Sequence, residues 1–221
     1  MDWLNKILGS KGNPTAIHEL TEFNYIARRL ARDLPVNDGG RIVILASSCR
    51  AEVHTAITMN IASALCREED VSVALVDATL AFTESGLSAL YAGPADLGFA
   101  ELLDAPADTV IALKALPHAA GLTFLPAGKG TLPPRSISAA RATAAIARLR
   151  DTADYVLLVQ GDMAQDPRYL AFADNADLVL ITVEETVTPL TSVAATVGHL
   201  AEYRSCSVGL VVSVPAVSAA A

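Results

Sequence analysis

The chain has 221 residues, of which 52% are hydrophobic and only 5% aromatic, and it carries a formal net charge of −8. That length suits one domain with a sizeable core, and the acidic balance argues against nucleic acid as the main partner. Cys49, Cys66 and Cys206 are too widely spaced for a disulfide framework or a metal site, which points to a reducing cytoplasm. No signal peptide and no bilayer-spanning apolar run is read, so any work at a membrane is expected to need a borrowed anchor.

Residues 1–12 place Trp3, Leu4, Ile7 and Leu8 on one side of a short helix, with Asp2, Asn5 and Lys6 opposite. Such a segment docks on a partner or a lipid surface, or folds back onto its own domain. Residues 20–33, with Glu22, Tyr25, Arg28 and Arg29, predict an amphipathic helix. The expected organisation is an N-terminal helical segment over 1–40 for docking or oligomerisation, an α/β domain over 41–214, and an Ala-rich tail over 215–221.

The α/β pattern starts at residues 42–46 (I-V-I-L-A), a buried strand. Residues 47–55 (S-S-C-R-A-E-V-H-T) follow as a tight loop and 56–65 as a helix. Strand, loop, helix is the context of the phosphate-binding motif G-x-x-x-x-G-K-[ST]. In that spacing Ser48 stands at the first glycine, Val53 at the second and His54 at the lysine, and only Thr55 keeps its residue type. Glycines let such a loop take positive φ and bring backbone N–H groups against phosphates. Val53 is β-branched, so it resists that conformation and crowds the anion. His54 is shorter than lysine and mostly neutral at pH 7. Arg50 is the loop's candidate anion ligand.

Residues 71–80 form a second hydrophobic strand around Asp77. Helical character follows at 99–103, a short strand at 122–128, a Pro-rich turn at 132–134 and a long helix at 138–150. Strands at 155–159 and 177–183 come next, with Asp162 just after the first, and Glu184 and Glu185 reading as a solvated end of the second. Pro189 starts a helix running to Glu202. His18, His118 and His199 show no ligand spacing. Strands alternating with helices predict an α/β, doubly wound fold: a mostly parallel central sheet flanked by helices.

This ordered series resembles the cytoplasmic ATPase domain of bacterial tyrosine kinases and capsule or exopolysaccharide co-polymerases, relatives of the ParA/MinD group of P-loop ATPases. Ser47, Ser48, Glu52 and Thr55 match the family's S-S-x-P-G-E-G-K-T, and Asp77, Ala78 and Leu80 match D-A-D-L-R-R. Gly86, Leu87, Ser88 and Gly93 match G-L-S-x-x-L-x-G, and residues 125–128 match L-P-A-G. The resemblance implies a P-loop fold, ATP and Mg²⁺ as the family's cofactors, and assembly through an E-x-x-R-x-x-R helix. Glu22 and Arg28 match that helix, while Tyr25 replaces its first arginine.

The departures fall on catalytic positions. Thr79 replaces the second acid of D-A-D, Val159 replaces the acid of Y-V-I-I-D, Ala81 and Phe82 replace two arginines, and the tail has no tyrosine. Phosphoryl transfer depends on the lysine and Mg²⁺ that such residues position, and Asp77 alone is a poor magnesium site. The resemblance therefore implies a pseudo-ATPase with no catalytic residue and no metal set. It keeps a vestigial loop (Ser48, Arg50, His54, Thr55, Asp77) and an interface (Glu22, Tyr25, Arg28). The implied partner is an inner-membrane polysaccharide co-polymerase or chain-length determinant, alongside self-association, with the chain cytoplasmic and recruited to the membrane. Two alternatives stand: a divergent ATPase or autokinase using Arg50 or His54 for the lysine, and a ParA/MinD-like spatial organiser.

Overall fold

The computed structural model describes residues 21–37, 39–79, 86–93, 96–106, 109–129, 137–203 and 207–214. The readings at residues 1–12, Ala81, Phe82, the 132–134 turn, Cys206 and the 215–221 tail lie outside them. Continuous apolar runs build the central strands: β1 (Arg41–Ser47), β2 (Val73–Asp77), β4 (Leu122–Leu125), β5 (Tyr155–Gln160) and β6 (Leu178–Glu184). β3 (Lys114–Ala115) and β7 (Ser207–Ser213) form the two edges. The seven strands are ordered β3-β4-β2-β5-β1-β6-β7, all parallel except β3, which pairs antiparallel with β4. Strands buried on both faces carry no polar alternation, which is why the runs read as unbroken hydrophobic stretches.

Helices cover both faces, as the doubly wound pattern predicts. On one face α1 (Thr21–Asp33) packs on α2 (Ala51–Glu69). α2 is buried nearly all round, with fourteen buried residues that include His54, Thr55, Thr58, Asn60 and Ser63, and ends at Asp70 in the left-handed conformation. Its layer joins Val43, Leu45, Leu75, Leu157 and Leu180 of the sheet. The other layer joins Ile42, Ile44, Val156 and Leu158 to α4 (Phe99–Asp104), α5 (Ala139–Arg150) and a 3₁₀ helix (Pro167–Asn175). Ser138 caps α5 by accepting from Arg141 N–H at 3.3 Å. α3 (Leu87–Tyr91) lies between β2 and α4 in the chain, and α6 (Leu190–Leu200) follows Pro189.

The register aligns the carboxyl ends of the central strands. Ala46 lies beside Gln160, Ser47 beside Thr182, and Asp77 beside Val159. Ligands of open α/β sheets bind outside these carboxyl ends, and here the sequence places its candidate loop. Among the described residues, no helix is long and apolar enough to cross a membrane.

Candidate functional site

The loop after β1 is shorter than the sequence predicts. α2 begins at Ala51, five residues before the expected start at residue 56, and His54 N–H already donates to Arg50 C=O at 3.0 Å. Without the two glycines nothing holds residues 51–54 open, so they take helical dihedrals and bury Val53 completely. Only residues 48–50 remain as loop. They are pinned to β6 and the turn after it: Ser48 N–H donates to Thr182 C=O at 2.9 Å, and Thr188 Oγ1 donates to Ser48 C=O at 2.6 Å.

His54 is turned into the protein, with Nδ1 and Thr182 Oγ1 hydrogen-bonded at 2.8 Å. Its Nε2 has no partner among the described residues. Burial pushes the imidazole down to about 4, only partly offset by the backbone of Gln160. Thr182 is a hub, its Oγ1 donating to Ala46 C=O at 3.2 Å and accepting from Cys49 Sγ at 3.4 Å.

Arg50 is already paired. Its Nε donates to Glu184 Oε2 at 2.9 Å and its Nη2 to Oε1. The guanidinium holds the Glu184 carboxyl below the usual carboxylate range, against the opposing effect of burial. Glu184 is only 3% exposed, so it corrects the expected solvated strand end, whereas Glu185 is exposed. The turn that follows places Thr186 at φ 64°, a conformation disfavoured for a β-branched residue, and it brings Thr188 against Ser48.

Asp77 is buried and saturated. It accepts from Thr79 N–H at 3.2 Å and Thr79 Oγ1 at 2.6 Å, and from Ser88 N–H at 3.0 Å and Ser88 Oγ at 2.6 Å. Ser88 Oγ in turn accepts from Ala127 N–H at 2.9 Å. The carboxylate thus ties the end of β2 to α3 and the end of β4. Asp162 is engaged likewise, accepting from Ala164 N–H at 2.8 Å, Gln165 Nε2 at 3.2 Å and Ser192 Oγ at 3.3 Å.

These groups surround a cleft of about 450 Å³ lined by Ser48, His54, Thr55, Asp77, Gln160 and Tyr169. Gln160 is fully buried, and neither amide atom has a partner among the described residues. Tyr169 packs over Gly161, where a Cβ would meet its hydroxyl oxygen at 2.9 Å, and donates to Thr79 C=O at 2.7 Å. The donor set does not fit Mg·ATP. The lysine position holds a neutral, inward-facing imidazole, the loop cation is neutralised, and the acid nearest a metal position has its oxygens occupied.

Ser48, His54, Thr55 and Asp77 lie together in the lining of this cleft, with Arg50 turned aside to Glu184. Thr182, Glu184, Thr188, Gln160 and Tyr169 complete the arrangement and carry no local motif that could have announced them. Glu22, Tyr25 and Arg28 lie elsewhere, on the exposed face of α1. Tyr25 is 64% exposed, and Arg28 donates to Glu68 Oε2 of α2 at 2.7 Å.

No protein-family model matches the chain, and no curated protein matches it in sequence. Among solved structures it is similar to the VpsO kinase domain, with 18% identity over 86% of this chain and 92% of that one and a TM-score of 0.67. It is also similar to the kinase domain of the Escherichia coli tyrosine kinase ETK, with 14% identity over 90% and 78% and a TM-score of 0.67. MinD of Aquifex aeolicus aligns at 17% identity over 78% and 69%, with a TM-score of 0.58. At these identities the likeness establishes the fold: a P-loop NTPase-type doubly wound sheet.

Proposed function

We propose that this chain is a non-catalytic, pseudo-ATPase subunit that assembles with or regulates an inner-membrane polysaccharide co-polymerase in exopolysaccharide, capsule or adhesin export. The motif series in the sequence supports the pathway, and similarity to kinase domains such as those of VpsO and ETK supports the architecture. One observation supports the loss of chemistry: His54, at the lysine position, borders the cleft, but its imidazole is buried, held neutral at pH 7 and hydrogen-bonded to Thr182. A phosphoryl-transfer site needs a fixed positive charge and a metal at the phosphates, and the nearest arginine is spent on Glu184.

Calorimetry with ATP and ADP, with and without Mg²⁺, tests the first half. No binding heat at about 1 mM nucleotide is expected, whereas micromolar affinity would overturn it. Polysaccharide output in the producing cell tests the second half. His54→Ala or Thr55→Ala is expected to leave output unchanged as long as the protein accumulates normally. Deletion of the chain, or Tyr25→Ala with Arg28→Ala on α1, is expected to reduce it. Normal output without the chain would remove it from the pathway.

A further inference from the structure

The two edges of the sheet differ. On the β3 side the edge is a two-residue strand, whereas β7 runs for seven residues and, among the described residues, no strand pairs with its outer side. Of eleven large hydrophobic side chains exposed among the described residues, seven fall between Val187 and Val214. Val208, Leu210 and Val212 are 39%, 54% and 54% exposed on one face of β7. The opposite face packs inward, with Gly209 against Leu180 and Val211 beside the α2 layer. An uncharged, proline-free edge of this length is what native folds ordinarily shield.

Among the described residues the backbone of that edge is equally open. Ser213 C=O accepts from Glu185 N–H at 2.9 Å, so the odd-numbered residues of β7 bond toward β6. The N–H and C=O groups of Val208, Leu210 and Val212 therefore point outward. A lipid surface offers those groups no partners; a strand does. The sequence S-V-G-L-V-V-S is nearly its own mirror about Leu210. Paired antiparallel with itself, it sets Ser207 against Ser213, Val208 against Val212, and Leu210 against Leu210. It also contributes no charge, so the net −8 of each copy does not fall on the seam.

We propose that β7 is a self-association edge: a second copy of this chain pairs antiparallel with Ser207–Ser213 about Leu210, continuing the sheet across a two-fold axis. The apolar stripes of the two copies then form one surface, and the outward backbone groups are satisfied as isologous pairs. This interface is separate from the cleft and from the α1 face, so it stands or falls independently of the proposed function.

Light scattering on the full chain tests it, with Leu210→Lys placing like charges at the axis. The side chain is already half exposed, so the variant is expected to keep its fold by circular dichroism. Wild type is expected to be dimeric, and Leu210→Lys to weaken association by about tenfold or more. In a Cys206→Ser background, Leu210→Cys is expected to oxidise to a disulfide-linked dimer, because antiparallel partners sit about 5.5 Å apart at Cα. Val208→Cys is expected to cross-link only when mixed with Val212→Cys. A monomeric wild type, a dimer that Leu210→Lys leaves intact, or no cross-link at position 210 would overturn the proposal.

Discussion

His54 ordinarily would titrate near 6.5, and burial moves it to about 4. The unfolded chain therefore binds a proton that the folded chain does not between those two values. Stability from this residue is full above the unfolded value and is lost as pH falls from about 6.5 toward 4, by up to about 3 kcal/mol. Urea unfolding at pH 7 and pH 4.5 checks it: His54→Met should show a shallower loss on acidification than wild type. Asp77→Asn gives the second prediction. An amide offers one acceptor where four donors converge, so the melting temperature should fall by about 5–10 °C. A residue kept only for a metal would show no such fall. Thr186→Gly should raise stability by about 0.5–1 kcal/mol in the same unfolding assay, because glycine takes φ 64° without strain. At this scale the sequence shows directly that residues 47–55 contain neither lysine nor glycine, since these are local letters. It is silent about where His54 turns, because Thr182 lies 128 residues away. Glu184 is misread for the same reason: its partner Arg50 is 134 residues distant.

Among elements, the buried strands and α5 are legible because an unbroken apolar run, or a serine cap, announces itself over a few residues. The start of α2 is not: the phosphate-loop spacing suggests a nine-residue loop, but a loop without glycine has no reason to stay open. β7 goes unread because its periodic signal is inverted, with valine and leucine on the outward face. The 3₁₀ helix goes unread because, although its buried Tyr169, Phe172 and Ala173 fall at helical spacing, nine residues are too few to announce a helix. α1 tests how far surface charge and packing separate. Leu30, on the buried face of α1, is 5% exposed, so Leu30→Ala should cost about 2–4 kcal/mol in unfolding free energy. Arg28→Ala breaks an exposed pair with Glu68 and should cost at most about 1 kcal/mol. A large stability loss from Arg28→Ala would mean that α1 is held by charge, which its packing on α2 does not indicate.

For the whole molecule, layer order and strand direction follow from the alternation of strand and helix, and there the sequence-based expectation agrees with the sheet. Ligand linkage offers a global check. A nucleotide bound at about 10 μM would add about 2.7 kcal/mol at 1 mM, enough to raise the melting temperature by roughly 5–10 °C. With Mg·ATP no shift is expected. The contrast between the edges has a further consequence. β3 is only two residues long and runs against its neighbour, so it offers a poor template for an incoming strand. A sheet with one sticky end and one blunt end behaves like a monomer of functionality one in polymer growth. Joining two such units uses up the one open sheet end each has among its described residues, so strand pairing alone gives a terminated pair rather than a lengthening fibre.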